Sequence, residues 1–151
     1  MAVDQPKTDV DVSARSALDA LAALNGELLD SPWSVRSACG TRGRPALEVY
    51  NSGLLLDVLV AKPFTSCLLR GARRGEREGR ESVLAWGYLP PDGLPPQVVF
   101  SRRYREPRAA EAVGAVGTFW IALVQGRYDR VAATGPGGAS AQLRVRAGWS
   151  R

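Results

Sequence analysis

Apolar side chains recur along this chain with two different periods, and the change from one to the other falls at Pro32. From Ser13 to Leu29, the residues Ala17, Leu18, Leu21, Ala22, Leu24, Leu28 and Leu29 are spaced three and four apart, which predicts one stripe of an amphipathic helix. Ser13 is a fitting N-cap, and Pro32 ends the pattern because it lacks an amide donor and restricts the residue before it. Residues 1–12 are polar and mixed, and are expected to form a flexible leader.

Beyond Pro32 the period falls to two, the mark of strands with one covered face. Trp33 to Ser37 and Ala46 to Tyr50 alternate in this way, with Cys39 to Pro45 as the hairpin loop between them. Leu54 to Ala61 is nearly continuous in apolar residues, which predicts a central strand covered on both faces and interrupted only by Asp57. Phe64 to Leu69 and Ser82 to Tyr88 are expected as a further strand pair. Arg70 to Glu81, charged and glycine-rich, would join them as a solvated tip or loop. Leu89 to Pro96 holds four prolines and reads as a stiff connector, followed by a short strand at Gln97 to Ser101.

From Pro107 to Tyr128, Ala109, Val113, Val116, Trp120 and Leu123 or Val124 continue a helical spacing, and proline suits a first helical turn. Thr118 to Val124 also has the composition of a strand; the unbroken spacing favours a helix. Gly135 to Gly138 is a loop, and Gln142 to Arg146 alternates as an edge strand with arginines on its open side. The expected fold class is therefore α+β. An N-terminal amphipathic helix, an antiparallel sheet of about five or six strands and a C-terminal helix packed on one sheet face make a single domain over 13–151. This order of elements resembles that of small adaptor and secretion-chaperone domains.

Composition narrows the function classes. The 151 residues suffice for one ordinary core, and 45% apolar with 23% charged is the balance of a globular chain. No apolar run is long enough for a membrane span and the first ten residues lack the core of a secretion signal, so a cytoplasmic location is expected. Histidine is absent, which removes the usual general base at neutral pH and the commonest metal ligand. Cys39 and Cys67 stand alone, without a Cys-x-x-Cys pair, so no metal and no cofactor are expected. Net charge is +5, and all basic residues but Lys7 and Lys62 are arginines. The accompanying abundance of Ala, Gly, Pro and Val suits a GC-rich coding sequence, so arginine content alone says little. A concentrated arginine surface would still favour an anionic partner, because the guanidinium fork grips phosphate and carboxylate.

Two arginine groups are candidates for such contact. Arg42-Gly43-Arg44-Pro45 resembles the core of the AT-hook, whose arginines lie in the narrow minor groove of A·T-rich DNA. Its setting, directly before the apolar Ala46-Leu47, fits a hairpin loop better. Arg73, Arg74 and Arg77 in one stretch, and Arg102, Arg103 and Arg105 around Tyr104 in another, would hold phosphates if they converged, with Tyr104 stacking on a base. Glu76, Glu78, Glu81 and Glu106 interleave, and a self-neutralising solvated loop is the simpler expectation.

Catalytic arrangements come out poorly. Asp57, inside an apolar strand, is expected to turn outward at an edge, to pair with an arginine, or to act as a functional acid, in that order. Cys67 reads as core, and Trp33, Trp86, Tyr88, Phe100, Phe119 and Trp120 as packing. The expected role is a non-enzymatic protein-interaction or regulatory module, adaptor- or chaperone-like, with a protein partner or a second copy paired through a helix or an open sheet edge. A nucleic-acid-binding protein using the arginine-rich loop and the Arg42 to Pro45 turn is the alternative. A small-ligand or enzyme domain with a pocket between sheet and helices is the third.

Overall fold

Two segments, Val83 to Tyr88 and Phe119 to Val124, bury every residue in sequence, so no strand-like alternation marks them. A strand of that kind needs cover on both faces, and the architecture supplies it. The computed structural model describes residues 28, 31–62 and 67–147, and these contain twelve strands, two short 3₁₀ turns and no α-helix. The strands are β1 (Trp33–Cys39), β2 (Pro45–Asn51), β3 (Leu54–Val60), β4 (Gly71–Arg77), β5 (Arg80–Tyr88), β6 (Gln97–Ser101), β7 (Arg108–Ala109), β8 (Ala112–Val116), β9 (Phe119–Gln125), β10 (Arg130–Thr134), β11 (Ser140–Arg144) and β12 (Arg146–Ala147). They form three sheets, ordered β1-β2-β3, β12-β4-β5-β9-β8 and β11-β10-β6-β7.

The five-stranded sheet is the middle layer. Leu84, Trp86 and Tyr88 of β5, with Phe119, Ile121 and Leu123 of β9, pack against Trp33, Val35, Leu47, Val49 and Leu59 of the β1-β2-β3 sheet. The alternate residues Val83, Ala85, Trp120, Ala122 and Val124 point the other way and pack against Val98, Phe100, Val131 and Ala133 of the third sheet. Antiparallel register sets this division, since Leu84 lies opposite Leu123 and Trp86 opposite Ile121.

Indole donors tie the layers together. Trp33 Nε1 donates to Ser82 Oγ at 3.0 Å, and Trp120 Nε1 to the Leu68 carbonyl at 2.8 Å. The second bond requires Gly87: a Cβ there would stand 2.0 Å from the Leu68 oxygen and 2.8 Å from the Trp120 nitrogen. Ser52-Gly53 and Glu78-Gly79 close the β2–β3 and β4–β5 hairpins as two-residue turns with positive φ at both positions, the geometry that matches strand twist.

The α+β expectation is thereby overturned. The helix expected over Pro107 to Tyr128 is three strands, β7, β8 and β9, with Gly117-Thr118 as the turn between β8 and β9. Its apolar spacing came from burial on both faces of a middle-layer strand, where a run of apolar residues carries no period of its own. The expected first helix, Ser13 to Leu29, lies outside the described residues except for Leu28. That residue is buried and non-helical, and its amide donates to the Trp33 carbonyl. The leader at 1–12 also lies outside them.

Three further expectations change. Arg70 to Glu81 is not a loop: Gly71 to Arg77 is strand β4, paired along its length with β5. Cys67 to Leu69, expected as strand, is not one, and Cys67 is exposed rather than core; Phe64 to Ser66 lie outside the described residues. Leu54 to Val60 is a strand at the edge of its sheet rather than a central one, with Leu54, Leu55 and Val58 each 40% exposed or more. No helix among the described residues is long and apolar enough to cross a membrane.

Candidate functional site

Consecutive residues of a strand face opposite ways, and this alternation sorts the arginines of β4. Arg74 lies opposite Val83, on the face toward the third sheet, whereas Arg73 lies opposite Leu84, on the other face. Arg73 Nη1 donates to the Ala147 carbonyl, and Arg77 Nη1 to the Ser31 carbonyl, so both are occupied on that other face. Arg70, just before the strand, is held by Asp57.

Arg74 therefore meets a different set of neighbours. At the end of the third sheet, Ser101 of β6, Arg130 of β10 and Arg144 of β11 stand side by side across three paired strands. Together with Arg74, Arg102, Arg103 and Asp129 they line an open trough of about 720 Å³. Five arginines and one aspartate thus line it. Among the described residues Asp129 pairs only with Arg74, at 3.8 Å, and it is itself half exposed. Among the described residues no carboxylate pairs with Arg102, Arg103, Arg130 or Arg144. Arg130 directly opposite Arg144 is a like-charge cross-strand pair, which costs stability unless an anion lies between them.

A second depression shares Arg102 with the trough. There Arg105, Arg108 and Arg127 meet Glu106, in a volume of about 520 Å³. Arg102 is positioned at the junction by its bond to the Arg127 carbonyl, 3.3 Å. Arg108 is partly neutralised by Glu111 at 3.2 Å. A third depression, which shares Arg74 with the trough and Arg127 with the second depression, sets these two arginines against Glu76 and Glu81, and there the charges balance. The glutamates thus bound the basic surface on the β4–β5 side without dividing Arg74 from Arg102 and Arg103.

Tyr104 projects from the turn between these arginines, 91% exposed, with positive φ and with the Arg103 guanidinium 5.5 Å from its ring centre. The turn is closed by the Arg105 amide donating to the Arg102 carbonyl.

Arg42 and Arg44 stand elsewhere. They occupy the β1–β2 tip, where the Gly40 amide bonds the Arg44 carbonyl and Arg42 is left-handed at φ 61°, a tight turn and not an extended strand. The tip lies one strand length, about 20 Å, from the opposite end of that sheet, where Asn51 lines the balanced depression. Of the residues expected to contact an anion, Arg74, Arg102 and Arg103 converge in the trough, and Arg105 lies in the depression beside it with Tyr104 at the turn. Arg42, Arg44, Arg73 and Arg77 do not join them.

Arg130 and Arg144 escaped sequence reasoning. Arg144 is visible only as an outward residue of an alternating strand, and Arg130 sits at the start of a strand with no outstanding pattern. Their juxtaposition is a matter of register.

Asp57 takes the second of its expected roles. Its carboxylate accepts from Arg70 Nε at 3.0 Å and Nη2 at 3.1 Å, from Trp86 Nε1 at 2.9 Å and from the Val58 amide at 2.9 Å. Burial pushes this carboxyl up, and the bonds from Arg70 and Trp86 together outweigh it, holding the group below its ordinary value. Nearby, burial raises the Tyr88 phenol, whose hydroxyl donates to the Val60 carbonyl at 3.1 Å. The six aromatic residues read as packing are all buried. Among the described residues no group of three or more Cys, Asp or Glu side chains is placed to hold a metal ion. No protein family, curated protein or solved structure matches the chain.

Proposed function

We propose that this chain is a binding module whose arginine-lined trough receives a phosphate-bearing polyanion, gripping its backbone and carrying out no bond chemistry on it. The observation that carries the reading is the cluster of Arg74, Arg102, Arg103, Arg130 and Arg144 around one open trough, with Asp129 as the sole carboxylate among its described lining residues. Guanidiniums keep their proton throughout the working pH range, so they hold anions in place and do not move protons. Their fork geometry suits phosphate, and an open trough suits a chain of phosphates better than a single small anion.

The test is binding of a labelled oligonucleotide and of inorganic polyphosphate to the wild-type chain and to a variant carrying Arg102→Ala, Arg130→Ala and Arg144→Ala. Binding of both probes by the wild type and its loss in the variant is the expected result. Equal binding by the two proteins would place the anion site elsewhere.

A second reading, protein interaction through an open sheet edge, is favoured by β3. Leu54, Leu55 and Val58 leave an edge strand with large apolar side chains in water, and such an edge can accept another strand.

A further inference from the structure

Resting on the polyanion reading, we infer that the trough takes single-stranded nucleic acid and that Tyr104 is the platform on which one of its bases stacks. Tyr104 does little for the fold. At 91% exposure its ring buries almost no surface, and its backbone sits in the left-handed region that tyrosine rarely adopts. A residue that is both strained and solvated contributes nothing that a glycine or asparagine would not supply better in the same turn.

Its surroundings give it a use. The residues before it, Arg102 and Arg103, line the trough, and Arg105 after it lines the adjoining depression. The two depressions share Arg102, and Tyr104, which lines neither, stands on the turn that carries Arg102, Arg103 and Arg105, within reach of a base on a phosphate chain that spans both. The Arg103 guanidinium beside the ring, 5.5 Å from its centre, is placed to meet a phosphate while the open face of the ring meets a base. Stacking of that kind needs an unpaired base with a free face. A single strand offers one, while a duplex keeps its bases stacked inside and presents only phosphates and groove edges. Aromatic rings interleaved with arginines therefore favour the single strand, whether ribo- or deoxyribo-.

The experiment compares affinities for three probes of equal length: a single-stranded oligonucleotide of mixed sequence, the same backbone without bases, and the duplex. Because Tyr104 is exposed and packs on no core residue, Tyr104→Ala is expected to fold as the wild type does, which circular dichroism checks. The variant should bind the base-bearing strand about tenfold more weakly, within the range for one aromatic–base stack. It should bind the abasic strand and the duplex unchanged, and Tyr104→Trp should restore or strengthen binding of the base-bearing strand. Unchanged affinity of Tyr104→Ala for the base-bearing strand overturns the stacking role while leaving the trough intact. An equal loss on all three probes assigns Tyr104 to the shape of the turn and also overturns it. Failure of the wild type to bind any probe would remove the polyanion reading itself.

Discussion

The indole nitrogen of Trp86 donates to the Asp57 carboxylate at 2.9 Å, joining the middle sheet to the edge strand of the outer one. The same carboxylate is forked by Arg70, so one half-buried charge holds three segments: β3, β5 and the chain entering β4. Asp57→Asn would place amide hydrogens against these donors. We expect a loss of about 1–3 kcal/mol in urea unfolding. The lower end applies because the Arg70 side chain is 44% exposed and its attraction is partly screened.

Acid should weaken the same joint. The folded carboxyl lies below its ordinary value, so its contribution is complete above the unfolded value of about 3.9 and is lost as the pH falls through the lower folded one. Stability of the wild type should therefore decline with acid in that window more steeply than that of Asp57→Asn. Parallel pH profiles for the two proteins would mean that Asp57 titrates alike folded and unfolded.

Gly87 is the position least able to accept a side chain. A methyl group there meets the Leu68 carbonyl at 2.0 Å, backbone against which nothing can rotate away. Gly87→Ala should cost about 3 kcal/mol or more in thermal or urea unfolding. Gly135→Ala, whose nearest contacts begin at 3.6 Å and whose φ is −100°, should stay within about 0.5 kcal/mol of the wild type.

Much of the β-hairpin reading was available in the sequence, and the reasons for the failures are physical. Trp33 to Ser37, Ala46 to Tyr50 and Gln97 to Ser101 alternate because each has one covered face, and the strands lie there. Phe119 to Val124 has two covered faces, so alternation vanished and a helical spacing could be read through it. In β4 the reverse happened. Its arginines sit near a sheet margin capped only by the two residues of β12, where guanidiniums reach carbonyls and solvent, so a real strand had the composition of a loop. The candidate site is half legible: Arg102, Arg103 and Arg105 cluster visibly around Tyr104 in the sequence, while Arg130 and Arg144 become neighbours only through the register of β10 with β11.

That register yields a further expectation. Arg130 and Arg144 repel across the strand pair, so Arg130→Gln should raise stability by about 0.2–1 kcal/mol while weakening anion binding. A destabilised variant would show that Arg130 supports the fold through its stem and does more than crowd Arg144.

The exposed edge of β3 can be tested through assembly. If Leu55 and Val58 meet a second chain, the wild type should sediment with a concentration-dependent mass, and Leu55→Lys with Val58→Lys should stay monomeric. Identical sedimentation of the two proteins would remove self-association as the use of this edge.

The most direct test of the polyanion account is the slope of log affinity against log salt concentration for a single-stranded oligonucleotide. Phosphates seated on the trough's guanidiniums release counterions, and a slope of about −3 is expected for the wild type, becoming shallower when Arg130 and Arg144 are replaced by alanine. Binding that ignores salt, or a slope unmoved by those replacements, would contradict the account.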